Sequence, residues 1–189
     1  MRDFSLTEVC NKYLKDINLS SRKISVIDPE FVKYCSYAEI LSLSFNKLLS
    51  IESLPQNIYG FNAYSNLISS VTPLSKFNNL VHVGLGYNRL NDLKFLQECP
   101  YLSSVDVSFN DLISLEQSLE ALKNVEKLKS LNLQGNCFCM LDYYRGAVYS
   151  NLPSLTHFDN EELMQEDRQR YIDIFKGYEQ EKSKCLIER

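Results

Sequence analysis

His82, Ser104 and Asp106 are the residue types from which a nucleophilic hydrolase is built: a base, a hydroxyl and an orienting carboxylate. That chemistry needs the three to converge, with donors for an oxyanion and walls that exclude water. Their spacing argues against it. His82 and Ser104 hold the same place in successive units of a repeat, so they stand side by side on neighbouring strands. The only other histidine, His157, lies three units further on, or roughly 15 Å at about 4.8 Å per strand. Cys137-Phe138-Cys139 has one-residue spacing and no second pair or nearby histidine, which is poor zinc geometry. Gly84-Leu85-Gly86 lacks the third glycine and the opening helix of a phosphate loop. No catalytic residue, metal ligand or cofactor is therefore expected.

The repeat that disperses these groups is clearest at Leu102-Ser103-Ser104-Val105-Asp106-Val107-Ser108-Phe109-Asn110-Asp111-Leu112. Apolar residues at the first, fourth, sixth and eleventh positions point inward, and the asparagine at the ninth turns in to bond backbone groups left unpaired by the bend. The same frame fits Leu14, Ile17, Leu19 and Ile24, with Arg22 in place of asparagine, and then Ala38, Leu41, Leu43, Asn46 and Leu48. A weak unit follows at Ile58, Phe61, Ala63, Asn66 and Ile68, then Leu80, Val83, Leu85, Asn88 and Leu90. After the opening example comes Leu128, Leu131, Leu133, Asn136 and Phe138. A fourteenth apolar position recurs at Ile27, Ile51, Val71, Leu93, Leu115 and Leu141. A partial seventh unit begins at Leu155 with Phe158, and the starts are 24, 20, 22, 22, 26 and 27 residues apart.

The frame predicts a solenoid: a curved parallel β-sheet in an α/β fold, with helical caps at both ends. Residues 1–13 are expected to be an N-terminal helical cap, with Ser5 and Glu8 as a capping box. Residues 14–160 are the repeat body, with a convex helix between Ser114 and Leu128. Residues 161–189 are a charged amphipathic helix with Leu163, Tyr171, Ile174, Phe175 and Tyr178 as its apolar stripe. Asn46, Asn66, Asn88, Asn110 and Asn136 are read as a structural ladder of satisfied amides.

Side chains between the inward ones face the concave side. That surface is small, hydroxylic and nearly uncharged, with larger groups near its middle. The expected partner-binding residues are Tyr59, Tyr64, His82, Tyr87, Asp106, Phe109 and Asn132, beside a shallow trough at Gly84 and Gly86. The formal net charge is −4, which leaves no electrostatic footprint for gripping phosphate backbones. No stretch approaches membrane-spanning length, and Met1 to Cys10 has no apolar run of a signal sequence. The six cysteines form no framework and are expected to be reduced, buried thiols.

On Ser108-Phe109-Asn110-Asp111-Leu112, Leu133-Gln134-Gly135-Asn136 and Leu152-Pro153-Ser154-Leu155 the chain resembles the SDS22-like class of intracellular leucine-rich-repeat proteins. The resemblance covers roughly residues 14 to 160. It implies a non-enzymatic protein–protein adaptor in the cytoplasm, of the ciliary or flagellar axoneme, with axonemal dynein or microtubule-associated proteins as partners. No direct nucleic-acid or membrane partner is implied. The alternative within the class is a regulatory subunit of a phosphatase or a ribonucleoprotein scaffold.

Overall fold

A computed structural model describes residues 14–72, 79–97 and 99–187. The helical cap expected at residues 1–13 lies outside the described residues.

Seven short strands lie parallel, one per turn of the coil: β1 (Asp16–Asn18), β2 (Ile40–Ser42), β4 (Gly60–Asn62), β6 (His82–Gly84), β7 (Ser104–Asp106), β8 (Ser130–Asn132) and β9 (His157–Phe158). An eighth strand, β10 (Glu161–Glu162), turns back antiparallel on β9. Across the convex side β3 (Ser50–Ile51) pairs parallel with β5 (Ser70–Val71) in a small second sheet. The weak unit adds its rung: Phe61 sits in register between Leu41 and Val83. Spacing was sufficient there because Ile58, Phe61 and Ala63 are apolar, and all three are buried.

One column of inward side chains runs through the body from Leu41 through Phe61, Val83, Val105 and Leu131 to Phe158. Each asparagine at the ninth position then ties one turn to the turn before it. Asn88 Nδ2 donates to its own Leu85 carbonyl and to the Ala63 carbonyl of the preceding turn, while its Oδ1 accepts from Ile68 N. Asn66, Asn110 and Asn136 repeat this pattern, and Asn46 Oδ1 accepts from both Arg22 N and Ile24 N. The bonds reach backwards only. Arg22 can therefore stand at the ninth place of the first turn, because Asn46 serves that turn's backbone.

Two helices and two 3₁₀ turns complete the convex side. Helix α1 (Pro29–Tyr34) is capped by Asp28, whose carboxylate accepts from Phe31 N at 2.7 Å, with Pro29 set where no N–H is needed. Helix α2 (Leu115–Leu122) starts on Ser114, whose hydroxyl accepts from Gln117 N. The 3₁₀ turns are Lys94–Leu96 and Cys137–Met140. In the second of these Phe138 goes inward as the frame expects, whereas Leu141, also placed by the frame in the core, is exposed.

Helix α3 (Tyr144–Asn151) and helix α4 (Gln165–Ile187) close the C-terminal end. Tyr171, Ile172 and Phe175 carry α4 onto the core, and Tyr178 stacks on Tyr143 at 4.0 Å. Ile174, assigned above to the docked stripe, is instead 46% exposed; Ile172, two residues earlier, takes the inward place. Arg168 donates to the carbonyls of Leu152, Pro153 and Leu155, placing a cation just past the C-terminal end of α3. Asp159 sits beneath this cap, accepting from Leu133 N and from the Tyr144 hydroxyl at 3.0 Å. Burial pushes both its carboxyl and the Tyr144 phenol above their ordinary ranges, with the hydrogen bonds opposing the shift on Asp159.

Candidate surface for a protein partner

The eighth residue of every turn from the first to the sixth has a left-handed backbone: Ser21, Phe45, Ser65, Tyr87, Phe109 and Gly135, with φ between 49° and 76°. Only the last is glycine. This conformation disfavours a side chain, and a non-glycine residue held there carries strain of about 1–2 kcal/mol. From the second turn on, the asparagine that follows holds the bend in place from inside, and Asn46 also serves the backbone of the first turn.

At the bends the large side chains meet, edge-on at Phe45–Tyr64, tilted at Tyr64–Tyr87 and stacked at Tyr87–Phe109. Phe45, Tyr64, Tyr87 and Phe109 form a row with ring centroids 5.7, 4.9 and 4.3 Å apart. Phe45 is 58% exposed and Tyr87 and Phe109 are also exposed, while Tyr64 is half-buried. Burial raises the Tyr64 phenol above its ordinary range, with Tyr87 adding to the shift. Phe109 ends the row over Gly135, where an added Cβ would stand 2.5 Å from the ring.

Backbone strain and ring stacking pull in opposite directions here, and Tyr87 separates them. Tyr87→Ala loses two ring partners, at about 0.5–1.5 kcal/mol each, and keeps the strain. Tyr87→Gly loses the same contacts but releases the left-handed strain. Chemical unfolding is expected to rank wild type above glycine and glycine above alanine, by about 0.5–1 kcal/mol between the variants. In an ordinary strand alanine outranks glycine. Alanine outranking glycine at this position would show that the bend carries no strain.

The groups expected on the concave side are not all brought together. Tyr64, Tyr87 and Phe109 meet in the row, joined by Phe45, which sequence reasoning passed over. His82 lies on the strand face between Gly60 and Ser104. Tyr59 precedes β4 at the other end of the strands, near the Lys15–Glu39 ion pair. Asp106 and Asn132 are engaged at the strand ends: Asp106 Oδ1 accepts from Ser108 N at 2.9 Å and Ser108 Oγ at 2.6 Å, and Asn132 Oδ1 accepts from Gln134 N. Asn18 and Asn62 make the same bond two residues ahead, so the fifth-position side chains terminate the strands. The trough at Gly84 and Gly86 is not open. A Cβ on Gly86 would meet Ser108 Oγ at 2.9 Å and Tyr64 Cδ2 at 3.2 Å, so Gly86 is the seat of the Tyr64 ring.

Among the described residues no hydrogen bond joins His82 to Ser104 or Asp106, and no three His, Cys, Asp or Glu side chains come together around a metal-sized space. Every buried side-chain nitrogen and oxygen among them has a partner. Cys35 and Cys99 are buried, and burial raises the Cys35 thiol. Cys137 and Cys185 depart from the expectation of buried thiols and lie exposed. No described helix is long and apolar enough to cross a membrane.

No protein-family model matches the chain. Human leucine-rich repeat-containing protein 43 is 31% identical over 157 residues, covering 78% of this chain and 24% of that protein. The mouse protein of the same name is also 31% identical, over 78% of this chain and 23% of its own length. The chain thus spans about a quarter of the length of these relatives. Among solved structures, the Drosophila melanogaster SNF/U2A' complex matches with a TM-score of 0.55 and 21% identity, over 85% of this chain and 80% of the other. The repeat frame, the backward-reaching asparagines and these likenesses give the chain a leucine-rich-repeat fold, and it is similar over 78% of its length to leucine-rich repeat-containing protein 43.

Proposed function

We propose that the protein is a non-enzymatic scaffold for protein–protein interaction, and that Tyr64, His82, Tyr87 and Phe109 form the centre of its docking surface, with Tyr59, Asp106 and Asn132 at its margins. The observation that carries this reading is the row of four mutually contacting, largely exposed rings, on a chain whose buried polar side-chain atoms are all satisfied among the described residues. Aromatic rings already ordered by their neighbours supply large contact area with little rotamer freedom left to lose on binding. The leucine-rich-repeat fold of the chain and its relatives supports an interaction role in general. The finer part of the proposal is a docking component of the ciliary or flagellar axoneme, with dynein or microtubule-associated proteins as partners. It rests on the SDS22-like resemblance of the sequence.

Partners identified by proximity labelling in ciliated cells provide the test. Replacing Tyr64 and His82 together by alanine is expected to weaken their capture at least tenfold. Stability falls by about 1–2 kcal/mol in that variant because Tyr64 leaves two ring partners, whereas His82→Ala alone leaves it unchanged. Unaltered capture by the double variant removes the proposed surface. Cofractionation with detergent-resistant axonemes supports the axonemal role; nuclear retention supports the regulatory-subunit or ribonucleoprotein alternative in its place.

A further inference from the structure

From the second, fourth and fifth left-handed bends onward, burial alternates over five residues as along an extended chain. In Phe45–Leu49 the exposed residues are Phe45, Lys47 and Leu49, with Asn46 and Leu48 buried between them. Residues 87–91 alternate in the same way, with Tyr87, Arg89 and Asn91 exposed, and so do residues 109–113, with Phe109, Asp111 and Ile113 exposed. Successive residues of an extended chain point to opposite sides, so these exposed side chains form a face of their own beside the strand face. Its first column holds Phe45, Tyr87 and Phe109, three of the four rings of the row. Leu49 and Ile113, 59% and 76% exposed, stand in its last.

The middle column gives this face a charge. Lys47 and Arg89 lie in it, and Arg22 and Lys23 are exposed at the matching bend of the first turn; Asp111, at the far end, is the only acid. Among the described residues no carboxylate pairs with any of the four cations, whereas Lys15, Lys123 and Arg145 elsewhere do have acidic partners. A chain of net charge −4 thus carries a locally cationic face edged by exposed rings and aliphatic side chains.

From this arrangement we infer that the face beside the strands binds an extended acidic segment of a partner protein, one that alternates carboxylates with aromatic or aliphatic side chains. Carboxylates of the segment pair with Lys47 and Arg89, and its apolar side chains lie on the ring row and on Leu49. Lys47 and Arg89 are two turns apart, about 10 Å, which an extended peptide spans in three residues. The inference rests on the interaction reading above and extends that docking surface from the ring row onto the cationic side chains beyond the bends.

A phage-displayed library of random twelve-residue peptides, selected on the full chain, tests it. Recovered peptides are expected to carry at least two acids with aromatic or aliphatic residues between them, and to bind more weakly as salt rises. Lys47→Glu with Arg89→Glu should weaken them at least tenfold, Leu49→Ser should weaken them severalfold, and Lys182→Glu, on the exposed side of α4, should leave them unchanged. All four side chains are exposed, and equal melting temperatures confirm that the variants remain folded. Recovery of neutral or basic peptides, or of none, overturns the inference. So does equal affinity for the Lys47→Glu, Arg89→Glu variant, or a dimer of this chain in sedimentation that this variant abolishes. Loss on His82→Glu alone moves the occupant to the strand face, overturning this inference while leaving the scaffold reading intact.

Discussion

Asn110→Ala is expected to destabilise the fold by about 3–4 kcal/mol while leaving partner capture intact below the lowered melting point. The side chain makes bonds of 2.9–3.1 Å: Oδ1 accepts from Leu90 N, and Nδ2 donates to the carbonyls of Leu85, Val107 and Ser108. Two of those carbonyls keep another donor, since Asn88 also reaches Leu85 and Asn136 also reaches Val107. Leu90 N–H has no such reserve. It is buried, so its desolvation accounts for about 1–3 kcal/mol, and the lost donors and the small void supply the remainder. In a chain of this size that lowers the melting temperature by roughly 6–16 °C.

Asn110→Asp makes the cause visible through pH. Its carboxylate can still accept from Leu90 N–H, but it then faces three carbonyl oxygens with nothing to donate. The charged form is disfavoured in the fold, so the folded pKa stands above the unfolded one. Stability is therefore greatest below the unfolded pKa, where the carboxyl can donate, and is lost as pH rises through the folded pKa. Denaturant unfolding of wild type, alanine and aspartate variants across acid and neutral pH reads this directly. A pH-independent aspartate variant, or an alanine variant within 1 kcal/mol of wild type, would show that the amide is not what joins the turns.

The rungs of the coil were legible because their signal is periodic: apolar residues at fixed places and an asparagine at the ninth. Even Ile58, Phe61 and Ala63, with no leucine among them, could be placed by spacing alone. The surface was less legible, because it depends on neighbours about 20 residues away in the adjoining turn. Gly86 reads as open space until the Tyr64 ring of the previous turn is laid over it. Asp106 and Asn132 read as solvent-facing polar groups until their bonds to the backbone two residues ahead are seen. Phe45 was passed over although Tyr87 and Phe109 share its eighth position, because its place in the row depends on the Tyr64 ring of the next turn. Leu141 and Ile174 failed for another reason: each lies where the repeat gives way to the cap, and a period extrapolated past its last turn carries no information.

Gly146→Ala is the prediction that tests that cap, and its effect should equal or exceed that of Asn110→Ala. Gly146 lies within α3, where glycine is ordinarily a weak helix former, and replacing it by alanine in an exposed helix would gain up to about 1 kcal/mol. Here α4 crosses directly against it. An added Cβ would stand 2.2 Å from the Tyr171 carbonyl oxygen and 2.7 Å from Phe175 Cβ. Neither atom is the tip of a flexible side chain, so α4 itself must shift. That movement would part Tyr143 from Tyr178 and draw Arg168 from the end of α3. Overpacking of this kind costs about 1–3 kcal/mol, and the loss of the contacts carried with it raises the total to about 3–5 kcal/mol. Tyr143 offers a local reading, because burial and the Tyr178 hydroxyl together push its phenol up to about 12. In the variant that phenol should titrate nearer its ordinary value, α4 should become sensitive to limited proteolysis, and the melting temperature should fall. An alanine variant that melts like wild type with the Tyr143 titration unchanged would mean that α4 does not pack across Gly146, and that the far end of the core is covered by some other element.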